Sequence, residues 1–155
     1  MNNLFKSRRT LFLSSLAITG LAGFFGKSAK AQTPQAANVT AKGIKAVFAI
    51  SDADPKKWWL TLGNVKNAQK EIGNDNATLE IVVYGPAIEM LLAKSEVADK
   101  VSTTVASGVK IVACENSMHG AHFSHDDMIS TIAYVPSGVV ELMKRQNEGY
   151  AYIRS

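Results

Sequence analysis

The sequence predicts an α/β domain with three layers, in which helices cover both faces of a mainly parallel sheet of about five strands. Short apolar runs alternate with helical segments from residue 44 to the end of the chain, and this order is typical of parallel sheets. The first run has no polar alternation in its second half, which indicates a strand buried on both faces. Gly, Pro, Asn and Asp cluster where these segments end.

The first strand and the first helix have the clearest signals. The strand is expected over 44–50. Asp54 is a good N-cap, and Pro55 fits the first helical position. Apolar residues then recur at helical spacing as far as Ile72, and Gly73 follows, so the helix is expected over 55–72.

Trp58 and Trp59 are adjacent in this helix. Neighbouring helical residues diverge by about 100°, so only one ring can face the sheet. Because aromatic side chains are enriched at interfaces, the other ring is expected in a contact between subunits.

The remaining elements continue the alternation. Gly85-Pro86 and Pro136-Ser137-Gly138 end two of the strands. Lys110 is unusual in a buried strand and indicates a strand that starts near solvent or lies at a sheet edge. The further predicted strands are 79–84, 109–113, 131–135 and 150–153. The further predicted helices are 87–92, a short segment within 95–107, 118–123, 126–129 and 139–146.

The first 31 residues are typical of an export signal rather than of a folded domain. Arg8-Arg9 precedes an apolar run, and Ala29-Lys30-Ala31 has the form of a signal-peptidase site. The paired arginines resemble a twin-arginine signal, which implies a bacterial periplasm. The alternative is a membrane anchor, but Ser, Thr and Gly interrupt the run. We therefore expect a signal peptide over 1–31, a linker over 32–41, a domain over 42–155, and no stable membrane anchor after cleavage.

Removal of the signal changes the charge balance. The full chain has 17 Lys and Arg against 13 Asp and Glu, and five of the basic residues lie in the signal. The mature part then has 12 basic and 13 acidic residues, a net charge of −1. No basic patch with interleaved aromatic residues remains, so nucleic acid is not an expected partner.

Cys114 is the only cysteine of the chain, and it follows the apolar run 109–113. Right-handed crossovers place the carboxyl ends of parallel strands along one edge of the sheet, where ligands bind. Asn116 and Ser117 are good N-caps, and a helix that starts there would direct its N–H groups towards the sulfur and favour the thiolate. An odd thiol in an exported protein is buried and inert, paired between chains, or kept for its reactivity.

The three histidines of the chain, His119, His122 and His125, all lie close behind Cys114. A thiolate with imidazoles suits copper or zinc, although the spacing matches no standard zinc motif. On a helix, His119 and His122 would share a face more closely than all three. The sequence has no motif for dinucleotide binding, for a P-loop or for a hydrolase nucleophile elbow.

Several segments resemble the DsrE/DsrF-like family. They are VKIVACENSMHG, the following SHDDMI, TIAYVPSGVVELMKRQNEG, the closing YAYIRS and the opening KAVFAISDADPKKWWLTLGNVKNAQ. The resemblance covers nearly all of the mature chain. It implies a three-layer α/β/α domain, homo-oligomers and, as in sulfur-relay members, a cysteine that carries sulfur as a persulfide, with Cys114 at the matching position. The export signal and the histidine cluster depart from the well-known cytoplasmic relay members.

Three hypotheses follow from these observations. The first is a periplasmic sulfur carrier or sulfurtransferase that uses Cys114, with Asn116, Ser117 and His119 as supporting residues and a protein as sulfur donor or acceptor. The second is a copper- or zinc-binding module of Cys114 and the histidines; the first and third hypotheses need no cofactor. The third is a non-catalytic oligomeric interaction domain with an inert thiol.

Overall fold

The computed structural model describes residues 43–154, so the predicted signal peptide and linker lie outside the described residues. The strands are β1 Ile44–Ile50, β2 Ala77–Val83, β3 Lys110–Cys114, β4 Ala133–Val135 and β5 Ala151–Arg154. The α-helices are α1 Pro55–Ile72, α2 Ala98–Ala106, α3 Glu115–Gly120 and α4 Gly138–Asn147. Three 3-10 helices cover Asn74–Asn76, Gly85–Leu91 and His125–Asp127. Within residues 43–154, no helix has the length and apolar character that a membrane span requires.

The five strands form one parallel sheet in the order β4-β3-β2-β1-β5. From β1 to β4 the chain steps across the sheet in one direction, and right-handed crossovers then place the connecting helices on one face. The step from β4 back to β5 runs the other way, which places α4 on the opposite face. The predicted three-layer α/β fold is therefore confirmed.

Alternate residues of the central strands enter two separate cores. Phe48 and Ile81 belong to the larger core, which lies under α1 and α2. Val47 and Val82, each one position away, belong to the smaller core, which contains Leu142 of α4. Both faces of the central strands are covered by helices, which accounts for the nearly unbroken apolar runs in the sequence.

The local signals located the first elements correctly. Strand β1 and helix α1 have the predicted ends. Asp54 caps α1 by accepting a hydrogen bond from the Lys56 N–H at 2.9 Å. Trp58 is 5% exposed and donates its indole N–H to the Asp52 carbonyl at 2.8 Å.

Trp59 lies on α1 and is 45% exposed. Lys100 of α2 lies over its ring, 4.5 Å from the centroid, and the indole N–H reaches the Glu96 carboxylate at 3.3 Å. The ring thus has neighbours within its own chain. The subunit contact predicted for it stays a prediction.

Several predicted bounds were wrong. The helix predicted over 87–92 is a 3-10 helix that begins at Gly85, and the one over 126–129 is a 3-10 helix that begins at His125. The helix predicted over 118–123 begins earlier, at Glu115, and ends at Gly120. The fourth strand has only three residues, because pairing with β3 begins at Ala133.

Lys110 lies at the exposed start of β3, as the first of its two explanations predicted, but β3 is not an edge strand. Its ammonium lies 3.6 Å from a carboxylate oxygen of Glu80 and 3.7 Å from one of Glu141. The Lys110 ammonium therefore forms salt bridges with two buried acidic side chains. Neither Glu80 nor Glu141 has a sequence signal that predicts this pairing.

Candidate functional site

Cys114 is the last residue of β3 and lies beside Val135, the last residue of β4. The chain leaves β3 towards the larger core, where Met118 of α3 is buried, and leaves β4 towards the smaller core, where Leu142 of α4 is buried. In open α/β sheets, the ligand crevice forms where neighbouring connections leave on opposite faces. Cys114 lies at that point of the sheet.

Cys114 is itself the N-cap of α3, with an extended backbone at φ −80° and ψ 113°. The prediction that the helix starts at Asn116 or Ser117 was therefore wrong, because these are its second and third residues. Side chains at the N-cap face the N–H groups of those two positions. No close capping hydrogen bond to the sulfur forms in α3, but both N–H groups are near enough to stabilise negative charge on it.

The surroundings of the thiol favour its charged form. Burial alone would raise the pKa of Cys114, but nearby hydrogen-bond donors outweigh burial and hold that pKa below its usual value. The donors, in order of effect, are the Ser117 hydroxyl and the backbone N–H groups of Gly138, Ser117 and Asn116. The Asn116 N–H also donates to the Pro136 carbonyl at 3.3 Å, which accords with its smaller effect. The first turns of two helices thus supply positive dipole ends to one sulfur.

Ser117 connects the thiol to the end of β2. Its hydroxyl oxygen accepts a hydrogen bond from the Gly85 N–H at 2.7 Å, which leaves the hydroxyl proton free for Cys114. Gly85 has φ +58°, a left-handed conformation that favours glycine. The Gly-Pro turn after β2 therefore holds Ser117 in the orientation that supports the thiolate.

Gly138 is a site residue that the sequence analysis missed. It is the first residue of α4, it is buried, and its N–H lowers the pKa of Cys114. A glycine in the first turn of a helix, where Ser137 already provides the cap, could have indicated a tight contact. The contact partners, Tyr84 and Cys114, are remote in sequence, so the signal could not have named them.

The sulfur is well covered, because Cys114 is only 5% exposed. A cavity of about 310 Å³ lies beside Ser117, and Cys114 is not among its lining residues. Its lining combines small residues, such as Gly85 and Ala121, with the larger Ile88 and the acidic Glu89. A larger cavity of about 390 Å³ lies between α1 and α2 and takes no residue from the Cys114 site. Because the sulfur is so well covered, a small sulfur species suits the thiol better than a bulky substrate.

The three histidines are not brought together. His119 is exposed on α3, which ends at Gly120, so His122 does not share its helix face as predicted; it is exposed and has a left-handed φ of 59°. The His125 ring stacks on Tyr134 with centroids 3.9 Å apart, and its Nε2 lies 3.4 Å from a Glu115 carboxylate oxygen. In residues 43–154, no three His, Cys, Asp or Glu side chains are grouped so that they could hold a metal ion. Copper or zinc titration of the mature protein remains the test of the metal hypothesis.

A match to a known protein family assigns the chain as a whole. The sequence model of the DsrE/DsrF-like family matches residues 35–154, which include all five strands and Cys114. This chain belongs to the DsrE/DsrF-like family. The resemblance inferred from the sequence is thereby confirmed. No curated protein sequence matches the chain at a significant level.

Solved structures of similar proteins support this assignment. A protein of unknown function, MTH1491 from Methanobacterium thermoautotrophicum, is 31% identical, with a TM-score of 0.69 over 72% of this chain and 99% of its own. The ychN protein from E. coli is 13% identical, with a TM-score of 0.60 over 74% of this chain and 99% of its own. BT1422, a conserved protein of unknown function from Bacteroides thetaiotaomicron, is also 13% identical, with a TM-score of 0.59 over 72% and 94%. The last two show the shared fold alone.

Proposed function

We propose that this DsrE/DsrF-like protein is a periplasmic sulfur carrier or sulfurtransferase in which Cys114 holds the transferred sulfur as a persulfide. The observation that carries the proposal is the set of donors around one thiol, which comprises the Ser117 hydroxyl and the N–H groups of two helix starts. A buried cysteine with no task beyond packing needs no such set. Its pKa would then be raised by burial rather than lowered.

The chemistry needs a nucleophilic sulfur and a site that stabilises the product. The Cys114 thiolate attacks the outer sulfur atom of an inorganic polysulfide, and a new S–S bond forms. The bond between that sulfur and the rest of the polysulfide breaks, and the shortened polysulfide dianion leaves with the electron pair. The protein is left as the Cys114 persulfide anion, so charge and atoms balance. An acceptor thiolate then attacks the outer persulfide sulfur, and the Cys114 thiolate leaves.

The donors that lower the pKa of the thiol assist both halves of this cycle. They increase the thiolate fraction at neutral pH for the first attack. They also make Cys114 a better leaving group in the second step, because a thiol of lower pKa leaves faster. In this proposal a small donor occupies the cavity beside Ser117, the residue whose hydroxyl has the largest effect among the donors to the thiol.

The periplasmic part of the proposal is supported by the sequence signals before the domain. The paired Arg8-Arg9 and the Ala29-Lys30-Ala31 sequence are typical of an exported precursor. Sulfur transfer in that compartment would use a donor and an acceptor protein other than those of the cytoplasm. The donor protein and the acceptor protein are therefore to be sought among exported proteins.

The experiment is mass spectrometry of the intact mature protein before and after exposure to polysulfide. We expect the mass of one or more sulfur atoms to be added and then removed by dithiothreitol. Cys114→Ser is the matched control, because serine keeps nearly the same shape and should leave the fold intact without an adduct. In parallel, Cys114 should react quickly with iodoacetamide near neutral pH. A thiol that stays unreactive until the protein is unfolded would instead support an interaction domain with an inert cysteine.

A further inference from the structure

We propose that Gly138 is a positioning residue for Cys114: its missing side chain lets the first turn of α4 approach until the Gly138 N–H faces the sulfur. The inference rests on the proposed function, in which Cys114 is the reacting group. Gly138 is remote in sequence from the cysteine, and it positions the donor through the absence of a side chain rather than through a functional group.

The space around Gly138 is too small for a side chain. A Cβ atom at this position would lie 2.9 Å from the Tyr84 Cβ and 3.3 Å from the Cys114 Cβ. The first distance is shorter than real Cβ contacts, and the second is tighter than most of them. Both neighbours are the first atoms of their side chains, so no change of rotamer can move them away. An added methyl group would therefore displace the backbone of α4, β2 or β3.

Backbone conformation does not explain this glycine. Gly138 does not have the positive φ that favours glycine at Gly85. It follows the N-cap Ser137, whose hydroxyl accepts from the Val140 N–H at 3.5 Å, so α4 already has its start signal. Glycine is a poorer helix former than alanine. The close approach to Cys114 and Tyr84 is the remaining reason for it.

The approach has a direct electrostatic result. Of the backbone donors around the sulfur, Gly138 has the largest effect on its charged form, and it alone comes from a helix of ten residues. The titratable neighbours from the other elements are Tyr84, which follows β2, and Glu115 of α3, whose carboxylate is paired with His125. A change from Gly138 to alanine alters the packing against Tyr84 but adds or removes no titratable group. Its effect on the thiol therefore reports the position of the donor.

The test is the pH profile of Cys114 alkylation by iodoacetamide in the mature protein, which has no other cysteine. In Gly138→Ala, we expect the midpoint of the profile to move to higher pH. The rate on the acidic side should fall on the order of tenfold, because a hydrogen bond to a charged group is lost. The plateau rate at high pH should stay unchanged. Gly63→Ala, in helix α1, is the matched control, because a Cβ there has nothing within 4 Å and its backbone is not left-handed.

Two further variants keep the test decisive if Gly138→Ala fails to fold. Ser137→Ala removes the cap that fixes the first turn of α4 and should move the midpoint in the same direction. Gly138→Ala combined with Tyr84→Gly removes the closest collision and should move the midpoint back towards the wild type. An unchanged midpoint in the folded variants overturns the inference, as does an equal loss of rate at every pH, which would indicate blocked access. If the wild-type thiol itself is neither acidic nor able to take up sulfur, the proposed function fails instead.

Discussion

Replacement of Arg145 should be among the most destabilising single changes in the described part of the chain. Its guanidinium lies between three carboxylates, with contacts of 2.7 Å to Glu80, 2.8 Å to Glu141 and 2.7 Å to Glu148. The Glu80 side chain is 2% exposed and that of Glu141 is 9% exposed, whereas that of Glu148 is 51% exposed. Only the first two contacts are therefore shielded from water.

The size of the effect follows from these exposures. Loss of one partner of a buried ion pair costs about 3–5 kcal/mol, and an exposed pair contributes about 1 kcal/mol or less. Lys110 still lies 3.6 Å from Glu80 and 3.7 Å from Glu141 and offsets part of the loss. We therefore expect Arg145→Met to lower the free energy of unfolding by about 3 kcal/mol. For a domain of this size the Tm should fall by roughly 12 °C.

Urea unfolding followed by circular dichroism measures this loss. Arg145→Lys keeps the charge but cannot reach three carboxylates in one fork, so its loss should be intermediate. Lys144→Met is the matched control, because Lys144 is exposed, neighbours Arg145 and makes no salt bridge within residues 43–154. Its change should stay within about 0.5 kcal/mol. A loss below about 1 kcal/mol in folded Arg145→Met would refute the buried ion-pair reasoning.

Three further outcomes are expected. Burial raises the pKa of Glu80 against the lowering by Lys110 and Arg145. Its contribution to stability is then present below the ordinary glutamate pKa and is lost as the pH rises through the pKa of the folded state. From pH about 4.3 towards neutrality, the free energy of unfolding of Glu80→Gln should therefore rise relative to that of the wild type. A constant difference between the two proteins across that range contradicts this. Conversion of both Arg8 and Arg9 to Lys should leave uncut precursor in the cytoplasm, whereas intact Met1 in a membrane fraction would indicate an anchor. The outer face of α4 and the edge strand β5 carry exposed apolar side chains that a second copy of the chain would cover. Met143→Glu should therefore shift the assembly towards smaller species in light scattering. A wild-type protein that is monomeric at every concentration contradicts this.

The local signals of the sequence were sufficient for the fold class and for the first elements. Strand β1 and helix α1 were predicted with their observed ends, because a buried apolar run, an Asp-Pro start and a Gly stop act over a few residues. The same kind of signal placed Cys114 at the end of a strand. The start of α3 was misplaced, because its N-cap is a cysteine rather than the better N-cap formers Asn116 and Ser117.

The tertiary structure alone decided which residues remote in sequence surround the cysteine. The strand order sends the chain back across the sheet after β4, so the first turn of α4 meets a thiol that lies on a different strand. The same crossing brings Arg145 of α4 to Glu80, a carboxylate inside a strand that reads as apolar in the sequence. Periodicity and capping depend on neighbours along the chain, whereas these contacts depend on which strands pair and on which face each helix packs. The sequence by itself therefore located the sulfur and its neighbours Asn116 and Ser117, whereas only the packing of α4 against the sheet added the Gly138 N–H.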